Sequence, residues 1–148
     1  MTGQIVIVTA ATRGIGLPKA TVLAERGAKV VRLDKVDHIA DVAASLPGEG
    51  HVGFPADLLV FEALTEVVDR IEREVGPIEI LVNNAGTALI DNAEDVLIDR
   101  WDFQMDLNLK THFVLAQAVG RKIVNMAHKL ASSRCRGMLP TPPRRQRS

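Results

Sequence analysis

Residues 5–16 read Ile5-Val6-Ile7-Val8-Thr9-Ala10-Ala11-Thr12-Arg13-Gly14-Ile15-Gly16. A β-branched run passes straight into a loop of small residues, and a helical pattern follows. This is the layout of a nucleotide-binding strand–turn–helix. Gly14 and Gly16 let the backbone come close to a pyrophosphate, and a helix starting there directs free N–H groups and a partial positive charge at it. A glycine pair alone is weak evidence, because a plain tight turn gives the same letters. Its context strengthens it: a strand before, a helix after, and an acid at the end of the next strand.

Outward from this stretch, strand and helix patterns alternate. Residues 4–9 read as the first strand and 16–26 as a helix, with Pro18 in its first turn and Gly27 at the left-handed C-terminal cap position. Residues 29–33 form a buried-type strand ending at Asp34. Residues 36–46 read as a short helix closed by Pro47-Gly48, and 51–54 as a brief strand leading to Asp57. Phe61, Leu64, Val67, Val68, Ile71 and Val75 recur at helical spacing and stop at Gly76-Pro77. Residues 78–82 are a fourth strand, about 94–119 a long helical segment, and 122–126 a fifth strand. Strands separated by helix-length patterns predict right-handed crossovers. The expected fold is α/β: an incomplete doubly wound, Rossmann-type parallel sheet of about five strands with helices on both faces. Trp101, Phe103, Met105 and Phe113 are expected in its core.

Composition narrows the function classes. The 148 residues are 47% hydrophobic with zero net charge, which by itself points to neither nucleic acid nor membrane. The zero hides an asymmetry. Of the 18 basic residues, Lys129, Arg134, Arg136, Arg144, Arg145 and Arg147 fall in 128–148, which contains no acid, so residues 1–127 carry an acidic excess. Cys135 is the only cysteine, which excludes an intrachain disulfide and a cysteine zinc cluster. No histidine has a ligand partner at metal-site spacing, so no metal is expected. The N-terminal apolar run is too short for a signal peptide or a membrane span, and a cytoplasmic location is the expectation.

Asp34 lies where a carboxylate can accept hydrogen bonds from both ribose hydroxyls of an adenosine and repel a 2′-phosphate. That favours NAD. Arg13, a cation beside the loop, argues for NADP. Asp34 weighs more, because its charge would lie directly at the ribose.

Thr9-Ala-Ala-Thr-Arg-Gly-Ile-Gly16, then Asp57, then Asn83-Asn84-Ala85-Gly86, then Asn108 in a long helix, resemble the short-chain dehydrogenase/reductase family over residues 1 to about 127. The resemblance implies that Thr9, Thr12, Arg13, Gly14, Ile15 and Gly16 hold the pyrophosphate, and that Asp34 takes the ribose and Asp57 the adenine edge. It also implies that Asn83 ties neighbouring strands together, that Asn84, Ala85 and Gly86 line the cofactor groove, and that Asn108 organises a proton relay as the remaining catalytic residue. Ala10 departs from the pattern, standing where the family usually has its first glycine. The implied activity is hydride transfer between a nicotinamide and an alcohol or carbonyl, with a polyol or sugar as the substrate hint. Homo-oligomers are expected of intact relatives.

Family members perform this chemistry with a tyrosine, a lysine four residues later and a serine. This sequence contains no tyrosine. Residues 128–148, rich in proline and arginine, lack periodicity and read as a disordered basic tail. Read one base over, with suitable codon choices and one restored base, this tail spells Ser-Gln-Ala-Gly-Ile-Val-Ala-Leu-Pro-Arg-His-Val-Ala-Tyr-Ser-Ala-Ser-Lys-Ala-Ala, which resembles the family's active-site stretch. The expectation is therefore a frameshifted tail on a truncated cofactor-binding domain. Two alternatives stand beside the oxidoreductase: an inactive NAD-binding remnant, and a protein whose basic tail binds nucleic acid or anionic lipid.

Overall fold

A computed structural model describes residues 1–89 and 93–127; the tail reading falls outside the described residues. Five strands, β1 (Ile5–Thr9), β2 (Lys29–Asp34), β3 (Val52–Pro55), β4 (Ile78–Asn83) and β5 (Lys122–Asn125), form one sheet in the order β3-β2-β1-β4-β5. Every pairing is parallel. All five residues of β1 are buried, as a central parallel strand covered on both faces requires.

The two faces carry separate cores, set by strand alternation. Ile5, Ile7, Val31, Leu33 and Leu81 meet α3 (Phe61–Glu74) and α5 (Thr111–Val119). α3 presents Leu64, Val68 and Ile71 to this face, and α5 presents Leu115 and Val119. Burying each such side chain contributes about 1.5–3 kcal/mol. On the other face Val6, Val8, Val30 and Val82 meet α1 (Gly16–Glu25) through Ala20 and Ala24, whose small side chains let the helix approach closely. The remaining helices are α2 (Ile39–Ala44) and α4 (Ile98–Met105). One π-helical turn, Asp106–Lys110, joins α4 to α5.

Three sequence expectations need correction. α2 is shorter than the expected 36–46, because hydrogen bonding closes its last turn before Pro47. The segment expected from about residue 94 opens instead as a short 3₁₀ turn, Ala93–Asp95, and α4 starts only at Ile98, behind the extended Leu97. Trp101, Phe103, Met105 and Phe113 are exposed by 38–65% rather than buried. Phe103 lines the cleft described below, and among the described residues the other three are left partly uncovered. β5 is likewise an exposed edge carrying Ile123 and Val124.

Candidate cofactor cleft

The strand order reverses direction between β1 and β4. At such a switch point the loops leaving the two strands part and open a crevice at the carboxyl ends. A cleft of about 320 Å³ lies there, lined by Ala10, Arg13, Asp34, Asp57, Ala85 and Gly86 among others.

The loop after β1 is shaped by close contacts. Ala10 adopts φ +50° and Gly14 φ +57°, the left-handed region. A Cβ at Gly16 would lie 2.5 Å from the Ala10 carbonyl oxygen and 2.9 Å from Ala11 Cα. Only glycine lets α1 start this close to β1. The N-terminus of α1 has no side-chain cap and no acid in its first turn, so a side chain does not compete for its leading N–H groups. Ile15 stands 66% exposed at the loop's outer side. Arg13 adds a cation at the cleft wall. This donor set suits a pyrophosphate.

The end of the cleft at β2 is polar. Thr12 donates its hydroxyl hydrogen bond to Asp34 Oδ2 at 2.6 Å, and the Lys35 amide donates to Asp34 Oδ1 at 2.9 Å. Asp57 Oδ1 accepts from the Leu59 amide at 3.0 Å, while Asp57 Oδ2 stands 3.7 Å from Lys35 Nζ. Asp34 is thus oriented with acceptor capacity left for hydroxyl donors.

The segment after β4 is bolted to this loop. Thr9 Oγ1 accepts from the amides of Asn84 (2.9 Å) and Ala85 (2.8 Å). Asn84 Nδ2 donates back to the carbonyls of Thr9 (3.0 Å) and Ala10 (3.2 Å), and Asn84 Oδ1 accepts from Lys19 Nζ at 2.7 Å. Asn84 therefore braces the loop; its side chain is occupied by protein partners. Asn83 donates to Asn125 Oδ1 (2.8 Å), which ties β4 to the neighbouring strand β5, and also to the His112 carbonyl on α5 (3.3 Å). Asn108 lies in the π-helical turn. Its Oδ1 accepts from the Thr87 amide and its Nδ2 donates to the Thr87 carbonyl, each at 2.8 Å.

The structure places Thr9, Thr12, Arg13, Gly14, Ile15, Gly16, Asp34, Asp57, Asn84, Ala85 and Gly86 around one cleft and its loop, with Asn108 behind the wall. Lys19, Lys35, Gln104 and His112 also contact this region and were not singled out from the sequence. Lys19 and Lys35 looked like ordinary surface cations. The 104–108–112 spacing was the available signal for the helix residues.

Comparison with known proteins agrees with the geometry. The family profile described as short chain dehydrogenase matches residues 4–131. An NAD-dependent glycerol dehydrogenase of Listeria innocua is 39% identical over 135 residues, 86% of this chain and 53% of that protein. A D-threitol dehydrogenase of Mycolicibacterium smegmatis is 34% identical over 141 residues, 88% of this chain and 54% of that protein. A candidate short-chain alcohol dehydrogenase of Sinorhizobium meliloti superposes with a TM-score of 0.79 at 34% identity, covering 84% of this chain and 54% of the other. The chain spans about half the length of the curated relatives it matches.

Proposed function

The chain belongs to the short-chain dehydrogenase family, and from that premise we propose that its cleft binds a nicotinamide dinucleotide, NAD in preference to NADP, in the service of polyol or alcohol oxidation. When bound, the nicotinamide supplies the site that accepts or donates a hydride. Everything else falls to the protein.

The first-turn amides of α1, with Arg13, Gly14, Ile15 and Gly16, face the pyrophosphate. Asp34 accepts the ribose hydroxyls and disfavours a 2′-phosphate; Thr12 keeps that carboxylate turned. Asp57 stands at the adenine edge. Ala85 and Gly86 form the wall beside the nicotinamide half, and Asn108 supports that wall through Thr87. The sequence holds no tyrosine, so a phenol is not among the groups here that can take the alcohol's proton. The described residues build the cofactor-binding share of the reaction.

The observation that carries this reading is a helix N-terminus without a side-chain cap, led into by a loop whose Ala10 and Arg13 line a cleft that also holds a pre-oriented aspartate. The polyol assignment is supported by the glycerol and threitol dehydrogenases among the relatives. Equilibrium titration with NADH, followed by nicotinamide fluorescence, tests the binding claim. Saturable binding supports it; a signal no larger than that of free NADH overturns it. A change in NADH affinity on adding glycerol or threitol tests the substrate class separately, without requiring turnover; an affinity unchanged by either polyol counts against the polyol assignment.

A further inference from the structure

Three side chains spaced four residues apart grip three residues spaced two apart. Gln104 bonds Leu89 in both directions: its Oε1 accepts from the Leu89 amide at 2.9 Å and its Nε2 donates to the Leu89 carbonyl at 3.4 Å. Asn108 does the same to Thr87 at 2.8 Å and 2.8 Å. His112 Nε2 stands 2.8 Å from the Ala85 carbonyl oxygen; since a carbonyl only accepts, this nitrogen carries the hydrogen. The Asn83 side chain closes the same end by donating to the His112 carbonyl.

The periods match. Four residues of helix rise about 6 Å, and two residues of extended chain span about 6.6 Å. In a regular α-helix, however, residues i, i+4 and i+8 drift round the axis by about 40° at each step, so the third would turn away from a straight segment. The π-helical turn Asp106–Lys110 lies inside this row. Its wider i→i+5 winding takes back the drift and brings all three side chains onto one line.

We infer that Gln104 and His112, with Asn108 between them, are positioning residues that hold Ala85–Leu89 as the rigid wall of the dinucleotide cleft. The helix side chains replace the neighbouring strand that this extended segment lacks. Ala85, Gly86 and Thr87 all line the cleft, and Gly86 is pinned between two clamped neighbours. The inference rests on the proposed function for the identity of the ligand. The clamp itself is defined by hydrogen bonds within the protein.

Four variants of the full chain test it: His112→Phe keeps a planar ring without the donor, His112→Gln restores a donor of similar reach, and Gln104→Leu and Gln104→Glu do the corresponding things at the other end. Glu retains the acceptor for the Leu89 amide. Amide hydrogen exchange reads the clamp without any ligand. Leu89 should exchange faster in Gln104→Leu and be protected again in Gln104→Glu, with α3 unaffected. NADH affinity reads the function. His112→Phe should bind NADH roughly three- to tenfold more weakly than the parent, the loss expected for one hydrogen bond, and His112→Gln should recover most of it. Parental NADH affinity in His112→Phe, or parental Leu89 exchange in Gln104→Leu, overturns the inference while leaving the proposed function standing. Absence of NADH binding by the parent overturns the proposed function and the clamp's role in it, even if Leu89 exchange behaves as stated. If His112→Phe does not fold, Gln104→Leu alone decides both readouts.

Discussion

Thr12 and Asp34, the one in the loop after β1 and the other at the end of β2, are joined by a 2.6 Å hydroxyl-to-carboxylate hydrogen bond. The bond spans the two parallel strands whose carboxyl ends form one end of the cleft. It orients the carboxylate on which the proposed preference for NAD rests.

Asp34→Asn keeps the shape but removes the charge. Hydrogen bonds to charged groups contribute about 1.5–3 kcal/mol, so NADH affinity should fall roughly ten- to a hundredfold. NADPH affinity should fall less or rise, because the repulsion is gone. Thr12→Val should move the NADH-to-NADPH ratio in the same direction by a smaller amount. Paired titrations with the two dinucleotides check both; an unchanged ratio in Asp34→Asn contradicts the assignment of the ribose site.

Ala10 bears a β-carbon at φ +50°. The left-handed conformation costs an L-residue about 1–2 kcal/mol, and glycine's greater freedom in the unfolded chain costs about 0.5–1 kcal/mol. Ala10→Gly should therefore stabilise the protein by about 0.5–1 kcal/mol. Thermal unfolding should show a rise in Tm; a fall would mean that the turn is not strained.

Arg32 is wholly buried on the face shared with Val8 and Val30, and none of its guanidinium nitrogens has a hydrogen-bond partner among the described residues. Burial pushes this guanidinium below the usual arginine range. Even a buried charge that has a partner can often be replaced by an apolar group of similar volume with no loss, or with a gain of about 1–4 kcal/mol, and Arg32 lacks such a partner among the described residues. Arg32→Met should raise the denaturant midpoint with little change in slope. A lowered midpoint would show that the arginine has a compensating partner.

Leu97, Ile98, Trp101 and Phe113 are more than half exposed along α4, α5 and the residue before α4. Clustered apolar exposure of this kind promotes association. The weight-average molar mass from light scattering should rise with protein concentration, and the double variant Ile98→Glu/Phe113→Glu should suppress that rise without altering NADH affinity. A molar mass of the parent that stays at the monomer value at every concentration would contradict this.

Much of the fold was legible because parallel strands covered on both faces leave unbroken apolar runs: residues 5–8, 30–31 and 80–82 were readable on composition alone. The glycine loop and Asp34 were legible because backbone approach and a strand-end charge each demand a particular residue type. The aromatics of α4 and α5 misled, since periodicity reports which face is apolar and not whether anything covers it. Asn84 was legible only in part. It read as a groove residue, yet its amide is spent on Thr9, Ala10 and Lys19, partners distant in sequence. The clamp of Gln104, Asn108 and His112 depends on one π-helical turn, and nothing in the local sequence pattern announces a change from i→i+4 to i→i+5 bonding.

The central proposal is that this cleft takes an adenosine ribose with two free hydroxyls. Side-by-side fluorescence titration of the sequence-verified chain with NADH and NADPH is the direct measurement. The account predicts saturable NADH binding at least about tenfold tighter than NADPH binding. Tighter NADPH binding, or no saturable binding of either, would contradict it.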